Sequence, residues 1–234
     1  MIALLLLTLS AIEPHPSSTV AFAQLKYAGG AWNPRPNAIR RLSFEIEKRT
    51  SIITTHEATP VAATDARLVD MPFMYWAGDG AMAPLDGAQV AALRRYVKAG
   101  GVIFIDCVDE AFEASVKKEL LRILPESPLG LIPEEHVLYK SFYLIPAHGG
   151  RVLRKPALEG IVQEDRLVVV LSPNDHGGAW SRDDFGRYDF EVEPGGESQR
   201  EMALRFGINL LMYTLCLDYK EDQVHIPFIM RRRK

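Results

Sequence analysis

The residues whose types could do chemistry are few. Cys107 ends the apolar run in GGVIFIDCVDE, and two histidines have polar neighbours, His136 in EEHVLYKSFY and His176 in SPNDHGGAW. A thiol becomes a nucleophile when an imidazole takes its proton. The first chemistry to weigh is therefore a hydrolase or amidotransferase built on Cys107 with His136 or His176. Local sequence counts against it. A nucleophile elbow needs glycine two places either side of the nucleophile, and Ile105 and Asp109 stand there instead. The carboxylate of Asp106, next in sequence, disfavours the thiolate further. A second chemistry would use Asp79, Asp106 and Asp175 as acid, base or ligands of a hard cation. An aspartate at a strand end also caps the helix that follows, which is its commoner role. His15, His56, His148 and His225 have no partner legible in the sequence.

These residues are positioned by an alternation of apolar runs and helical patterns, the pattern of a mostly parallel sheet flanked by helices. TVAFAQLKY reads as a strand, residues 37–49 as a helix, SIITTHEATPV as an extended segment and RLVDMPFMYWAG as a third strand. The helix over 86–99 has the clearest signals. Asp86 and Gln89 form a capping box, Val90, Leu93 and Val97 form the apolar stripe, and Gly100 stops it. Val102–Ile105 is a buried strand, 110–124 a helix, and RLVVVLS at 166–172 a central parallel strand buried on both faces. The last helix opens on a capping box, Ser198 with Glu201, and is apolar nearly all round. Arg205 and Asn209 argue against a membrane span there.

In open α/β sheets ligands sit outside the carboxyl ends of the strands. Four loops leave four such ends: YAGGAW (Tyr27, Gly29, Gly30, Trp32), YWAGDG (Trp76, Asp79), DCVDE (Asp106, Cys107) and SPNDHGGAW (Asn174, Asp175, His176, Trp180). A parallel sheet brings all four to one edge, together with all three tryptophans of the chain. Glycine pairs let backbone approach a ligand and tryptophan gives it a flat face, which suits a sugar. The same residues also serve as tight turns and core packing.

With 234 residues, 47% hydrophobic and 24% charged, the chain is one globular domain with a sizeable core. A net charge of -3 gives no pull towards nucleic acid. The terminal RRRK reads as a solvated tail. IALLLLTLSAI near the start resembles a signal-peptide core, too short to span a bilayer. No Lys or Arg precedes it, and the expected cut lies near Ala11. Export to the periplasm or beyond follows, with a cytoplasmic protein as the alternative, and no transmembrane span is expected in the mature chain. The two cysteines, Cys107 and Cys216, form no dense framework. No CxxC or HExxH motif is present, so neither metal nor cofactor is expected.

LKYAGGAWNP, YWAGDG, LRRYVKAGGVIFIDC, LPESPLGLIPEEHVLYKSFY, SPNDHGGAW and FGINLLMYTL together resemble the bacterial domain-of-unknown-function family 4159, over roughly residues 20–217. The resemblance implies a flavodoxin-like, class I glutamine-amidotransferase-like α/β fold, with a distant likeness to trehalose-utilisation domains through LRRYVKAGG. It also implies a bacterial protein that is exported or membrane-anchored. The base histidine of such amidotransferases is followed two residues on by Glu, which neither HVL nor HGG provides. The expected organisation is a leader over 1–19, one domain over 20–220 and an extension over 221–234. The expected role is a non-catalytic module binding a carbohydrate or a cell-envelope protein partner at the strand carboxyl edge. Catalysis through Cys107 or the aspartates is the alternative.

Overall fold

The computed structural model describes residues 19–146 and 149–231, with side chains in the last helix as far as Cys216. The leader, His15, His148 and the last three residues of RRRK lie outside the described residues, as does the side chain of His225.

The elements run β1 (Thr19–Lys26), α1 (Ala38–Arg49), β2 (Ile53–Ala62), β3 (Phe73–Gly78), α2 (Gly87–Lys98), β4 (Val102–Cys107), α3 (Glu110–Ile123), β5 (Gly130–Leu131), β6 (Glu159–Gln163), β7 (Arg166–Ser172), α4 (His176–Trp180) and α5 (Gly196–Arg231). They form a seven-stranded sheet in the order β2-β1-β3-β4-β7-β6-β5. Strands β2, β1, β3, β4 and β7 are parallel, and β6 and β5 add an antiparallel edge. The parallel strands follow the flavodoxin-like order, and the switch in that order falls between β1 and β3. Every residue of β3 and β4 is buried, because α2 and α3 cover one face while α1, α4 and α5 cover the other.

The α2 capping box forms as its sequence dictates: Asp86 Oδ1 accepts from Gln89 N–H at 2.8 Å, and Gln89 Oε1 accepts from Asp86 N–H at 2.9 Å. Other boundaries move. Only the second half of RLVDMPFMYWAG is strand, since Ala66–Asp70 coils into a 3-10 turn capped by Asp65. The strand β7 is buried as expected, but it is parallel to β4 on one side only and antiparallel to β6 on the other. The start of α5 is also corrected. It begins at Gly196, inside which Ser198 is already helical, and Gln199 makes the reach-back bond, accepting from Gly195 N–H at 3.1 Å. Glu201 is spent on Arg49 and Arg205 instead, at 2.7 and 2.8 Å. Position 221 lies within α5. Among the described residues no helix is long and apolar enough to cross a membrane.

Candidate functional site

The carboxyl ends of β1, β3, β4 and β7 do share one edge, because these strands are parallel neighbours. The pleat then divides what the edge collects. Successive side chains in a strand point to opposite faces. Cys107 therefore belongs to the α2/α3 side with Phe112 and Val116, whereas Asp106 points to the side of α1, α4 and α5, where Tyr75 Oη donates to its Oδ2 at 2.8 Å. His176 lies on Asp106's side, its ring 4.6 Å from that of Phe206 and 5.7 Å from that of Phe104. Cys107 and His176 are thus separated by the sheet. His136 is at the other end of the molecule: its Nδ1 accepts from Leu138 N–H at 3.1 Å and its ring is 5.6 Å from Tyr213. Tyr213 Oη accepts from the N–H of Leu167, at the start of β7. No Cys/His pair forms with either histidine. Burial, reinforced by the charges of Asp106 and Glu113, holds the Cys107 thiol well above its usual range, so the thiol is a packed one.

The buried acids are occupied by α4. A helix leaves its first N–H groups without intrahelical partners, and in α4 two carboxylates take three of them. Asp106 Oδ1 accepts from His176 N–H at 2.8 Å and Oδ2 from Gly177 N–H at 2.6 Å. Asp175, the residue preceding the helix, accepts from Gly178 N–H at 3.0 Å. Gly177 is demanded by this arrangement, since a Cβ there would lie 2.2 Å from Tyr75 Oη. Burial pushes the Asp106 carboxyl up to about 6, with the charge of Asp175 adding to it while the donors from Gly177, Tyr75 and His176 pull the other way.

Asp175 adopts a left-handed backbone, φ 54° and ψ 60°. The sharp strand-to-helix turn looked for at Cys107 thus lies at the end of β7. Its carboxylate is not free to react. Arg35 grips it with two bonds, 3.0 Å from Nε and 2.7 Å from Nη2, and Arg151 Nε donates to it as well. Asn174 is equally engaged: its Oδ1 accepts from the N–H groups of Arg154 and Lys155 at 2.9 and 3.0 Å. Ser172 Oγ and His176 Nδ1 are 2.8 Å apart. Asp106, Asn174, Asp175 and His176 are fully buried, and together they fasten α4 to the sheet.

At the switch point two loops close on each other. Ala31 and Asp79 exchange backbone bonds of 2.7 and 3.1 Å. The close approach that the glycine pair permits is loop to loop: a Cβ on Gly30, at φ +59°, would meet Gly80 O at 2.6 Å, and one on Gly29 would meet Ala83 N at 2.5 Å. Tyr27 is buried beneath, its hydroxyl donating to Ala77 O at 3.0 Å and its ring stacked on Phe112. Trp76 and Trp180 correct the expectation of a stacking platform, because both are fully buried in the core, Trp180 donating from Nε1 to Ala203 O at 2.8 Å. Trp32 alone of the three keeps an exposed surface, with Lys26 Nζ 5.4 Å from its ring centroid and exposed Asp79 on the adjoining loop.

Sequence reasoning missed Tyr75, Arg35 and Arg151, each of which completes a buried acid. Their signal was weak. Tyr75 alternates correctly to share Asp106's face, but Arg35 and Arg151 come from loops whose course the sequence does not give. Among the described residues no three His, Cys, Asp or Glu side chains are arranged to hold a metal ion.

No curated protein matches the chain. The profile of one family, described as a domain of unknown function (DUF4159), matches residues 21–215, from the first sheet strand to the buried part of α5. The motifs that fasten loop to loop and α4 to β4 all fall inside that span, and the chain belongs to this family.

Proposed function

We propose that this chain is an exported, non-catalytic, amidotransferase-like module that binds a cell-envelope carbohydrate at the carboxyl edge of its sheet. The observation that carries the reading is the contrast along that edge. The Cys107 thiol, His176 and two of the three aspartates are buried, and His176, Asp106 and Asp175 are hydrogen-bonded as well, while Trp32 stays partly exposed and Asp79 exposed at the switch point, where open α/β sheets take their ligands. A partly exposed indole beside a carboxylate offers a sugar a stacking face and a hydrogen-bond acceptor.

Titration of the protein with soluble peptidoglycan fragments and neutral oligosaccharides, followed by tryptophan fluorescence, tests this. Saturable quenching in the wild type that disappears in Trp32→Phe supports the site. Quenching that survives in Trp32→Phe, or none with any of these sugars, overturns it. Export is tested separately, by sequencing the amino terminus of protein recovered from the periplasm. A start just beyond Ala11 accords with the reading, and recovery only from the cytoplasm contradicts it.

A further inference from the structure

One hollow is used neither by the buried network nor by the switch point. It has a volume of about 190 Å³ and lies between α1 and the hairpin turn that follows α4. Arg40, Arg41 and Phe44 form its α1 wall, and Arg182, Asp183 and Asp184 form the wall of the turn. The turn is closely held. Arg182 and Tyr188 pair as an antiparallel bridge, Asp183 N–H donates to Arg187 O at 2.8 Å, and Gly186 N–H donates to Asp183 O at 3.1 Å. Three guanidinium groups thus share one small space, on walls that the backbone fixes.

The carboxylates around the hollow are all engaged. Asp183 Oδ1 accepts from the N–H groups of Phe185 and Arg187 at 2.9 and 2.8 Å, and its Oδ2 accepts from Arg187 Nε at 2.9 Å. Asp184 pairs with Arg40 Nη2 at 2.6 Å, and Glu57 lies 3.8 Å from Arg40 Nε. Glu45, at the foot of the α1 wall, takes Arg41 Nη2 and also Arg49 Nε, the latter at 2.6 Å. Two arginines on opposite walls keep unused donors. Arg182 bonds through Nε to Gly186 O, with its guanidinium 5.1 Å from the Tyr188 ring centroid. Among the described residues its two terminal nitrogens have no acceptor, and it pairs with no carboxylate. Arg41 has its Nε buried without an acceptor. A charged donor taken from water and left unbonded is costly. Neither aspartate of the hollow is unpaired, so the unmet charge has one sign.

We propose that this hollow binds a tetrahedral oxyanion, a phosphate group free or carried as a monoester on a small molecule, between Arg41 and Arg182. Donors from opposite walls need acceptors that point both ways. A tetrahedral anion has them, whereas a planar carboxylate presents its two oxygens to a single guanidinium fork. Phe44, half exposed on the same wall, gives the organic part of an ester an apolar surface. The site shares no residue with Trp32 and Asp79, so the inference is independent of the carbohydrate reading.

Phosphorus-31 NMR of inorganic phosphate and of phenyl phosphate, each titrated with the full chain at constant ionic strength, tests it. Saturable binding is expected with a Kd on the order of 1 mM. Arg182→Gln and Arg41→Gln, one on each wall and each checked for native near-ultraviolet circular dichroism, should each weaken it about tenfold or more, as loss of a charge-assisted hydrogen bond does. Arg95→Gln removes the same charge from α2, remote from the hollow, and should leave the affinity unchanged. Acetate at equal ionic strength should not displace phosphate. Tighter binding of phenyl phosphate that is lost in Phe44→Ser assigns the group to an ester, and equal affinities assign it to the free anion. Absence of saturable binding with both probes, undiminished affinity in Arg182→Gln or Arg41→Gln, an equal loss in Arg95→Gln, or displacement by acetate overturns the proposal.

Discussion

Replacing Asp106 by Asn should change stability by an amount that depends on pH in a defined direction. In the native protein the carboxyl titrates near 6, raised from 3.8 by burial and by Asp175. Between these two values the folded state binds more protons than the unfolded one, so this group's contribution to stability is complete below about pH 4 and lost as pH rises through 6. The loss amounts to roughly 3 kcal/mol, from 1.36 kcal/mol per unit over about two units. Asn does not ionise and escapes this loss, but it brings a fault of its own. The acid accepts on both oxygens, from His176 N–H at 2.8 Å on one, and from Gly177 N–H at 2.6 Å and Tyr75 Oη at 2.8 Å on the other, and when protonated its hydroxyl oxygen keeps a lone pair with which to accept. An amide presents only one acceptor and turns N–H against a backbone N–H on the other side, at a cost of about 1–3 kcal/mol. Asp106→Asn should therefore be destabilising by about 1–3 kcal/mol at pH 4, and should improve relative to the wild type by roughly 3 kcal/mol by pH 7. Urea unfolding of both proteins, followed by tryptophan fluorescence from pH 4 to pH 8, measures the difference. Titrating groups remote from Asp106 are common to the pair and cancel, so the difference reports Asp106 together with Asp175, to which it is linked. A difference that stays flat across this range, or one that grows more unfavourable to Asn as pH rises, would refute the account of Asp106 as a buried acid charged at a cost.

Gly177→Ala places a methyl group 2.2 Å from Tyr75 Oη and should cost about 3 kcal/mol or more, read as a lowered urea midpoint; Gly130→Ala, with nothing within 4 Å of the new atom, serves as the near-neutral control. Mass spectrometry after brief iodoacetamide treatment at pH 8 should find Cys216, which is exposed, alkylated and Cys107, which is buried, untouched until urea is added. Asp175→Asn strips the carboxylate from Arg35, whose side chain is only 10% exposed. It should cost about 2–5 kcal/mol and move the Asp106 titration below 6, since one cause of its elevation is gone. The double variant Asp175→Asn with Arg35→Met should lose less than the two single losses combined, measured by the same urea curves.

The sheet was legible because its strands carry the signal themselves. The runs Val102–Ile105 and Leu167–Leu171 are apolar without interruption, and both lie in buried internal strands. The α2 box was legible because capping is local, with donor and acceptor three residues apart. The place of the histidines was not, for a different reason in each case. His176 follows a strand end as expected, but the side of the sheet it takes depends on α4 docking between Phe104 and Phe206, which are far from it in sequence. His136 sits in a long connection whose anchoring is done by Asn209 of α5, which accepts from Tyr143 N–H at 2.7 Å and donates to Leu138 O at 3.0 Å. Nothing near residue 136 announces that partner. The separation of Cys107 from Asp106 could have been read at the outset, since neighbours in a strand never share a face. The glycine-rich loops were harder, because a glycine that admits a ligand and one that admits a second loop have the same sequence.

The sharing of Asp106 between a strand and a helix 70 residues later also bears on the order in which the chain acquires its structure. A five-residue helix containing two glycines does not persist by itself. The acceptor for its first two N–H groups exists only after β4 and β7 are side by side, so α4 belongs to the steps that close long loops, which come late and slowly. The amides of His176 and Gly177 accordingly have no local opening that frees them without undoing the sheet, and they report on the unfolding of the whole domain rather than of a loop.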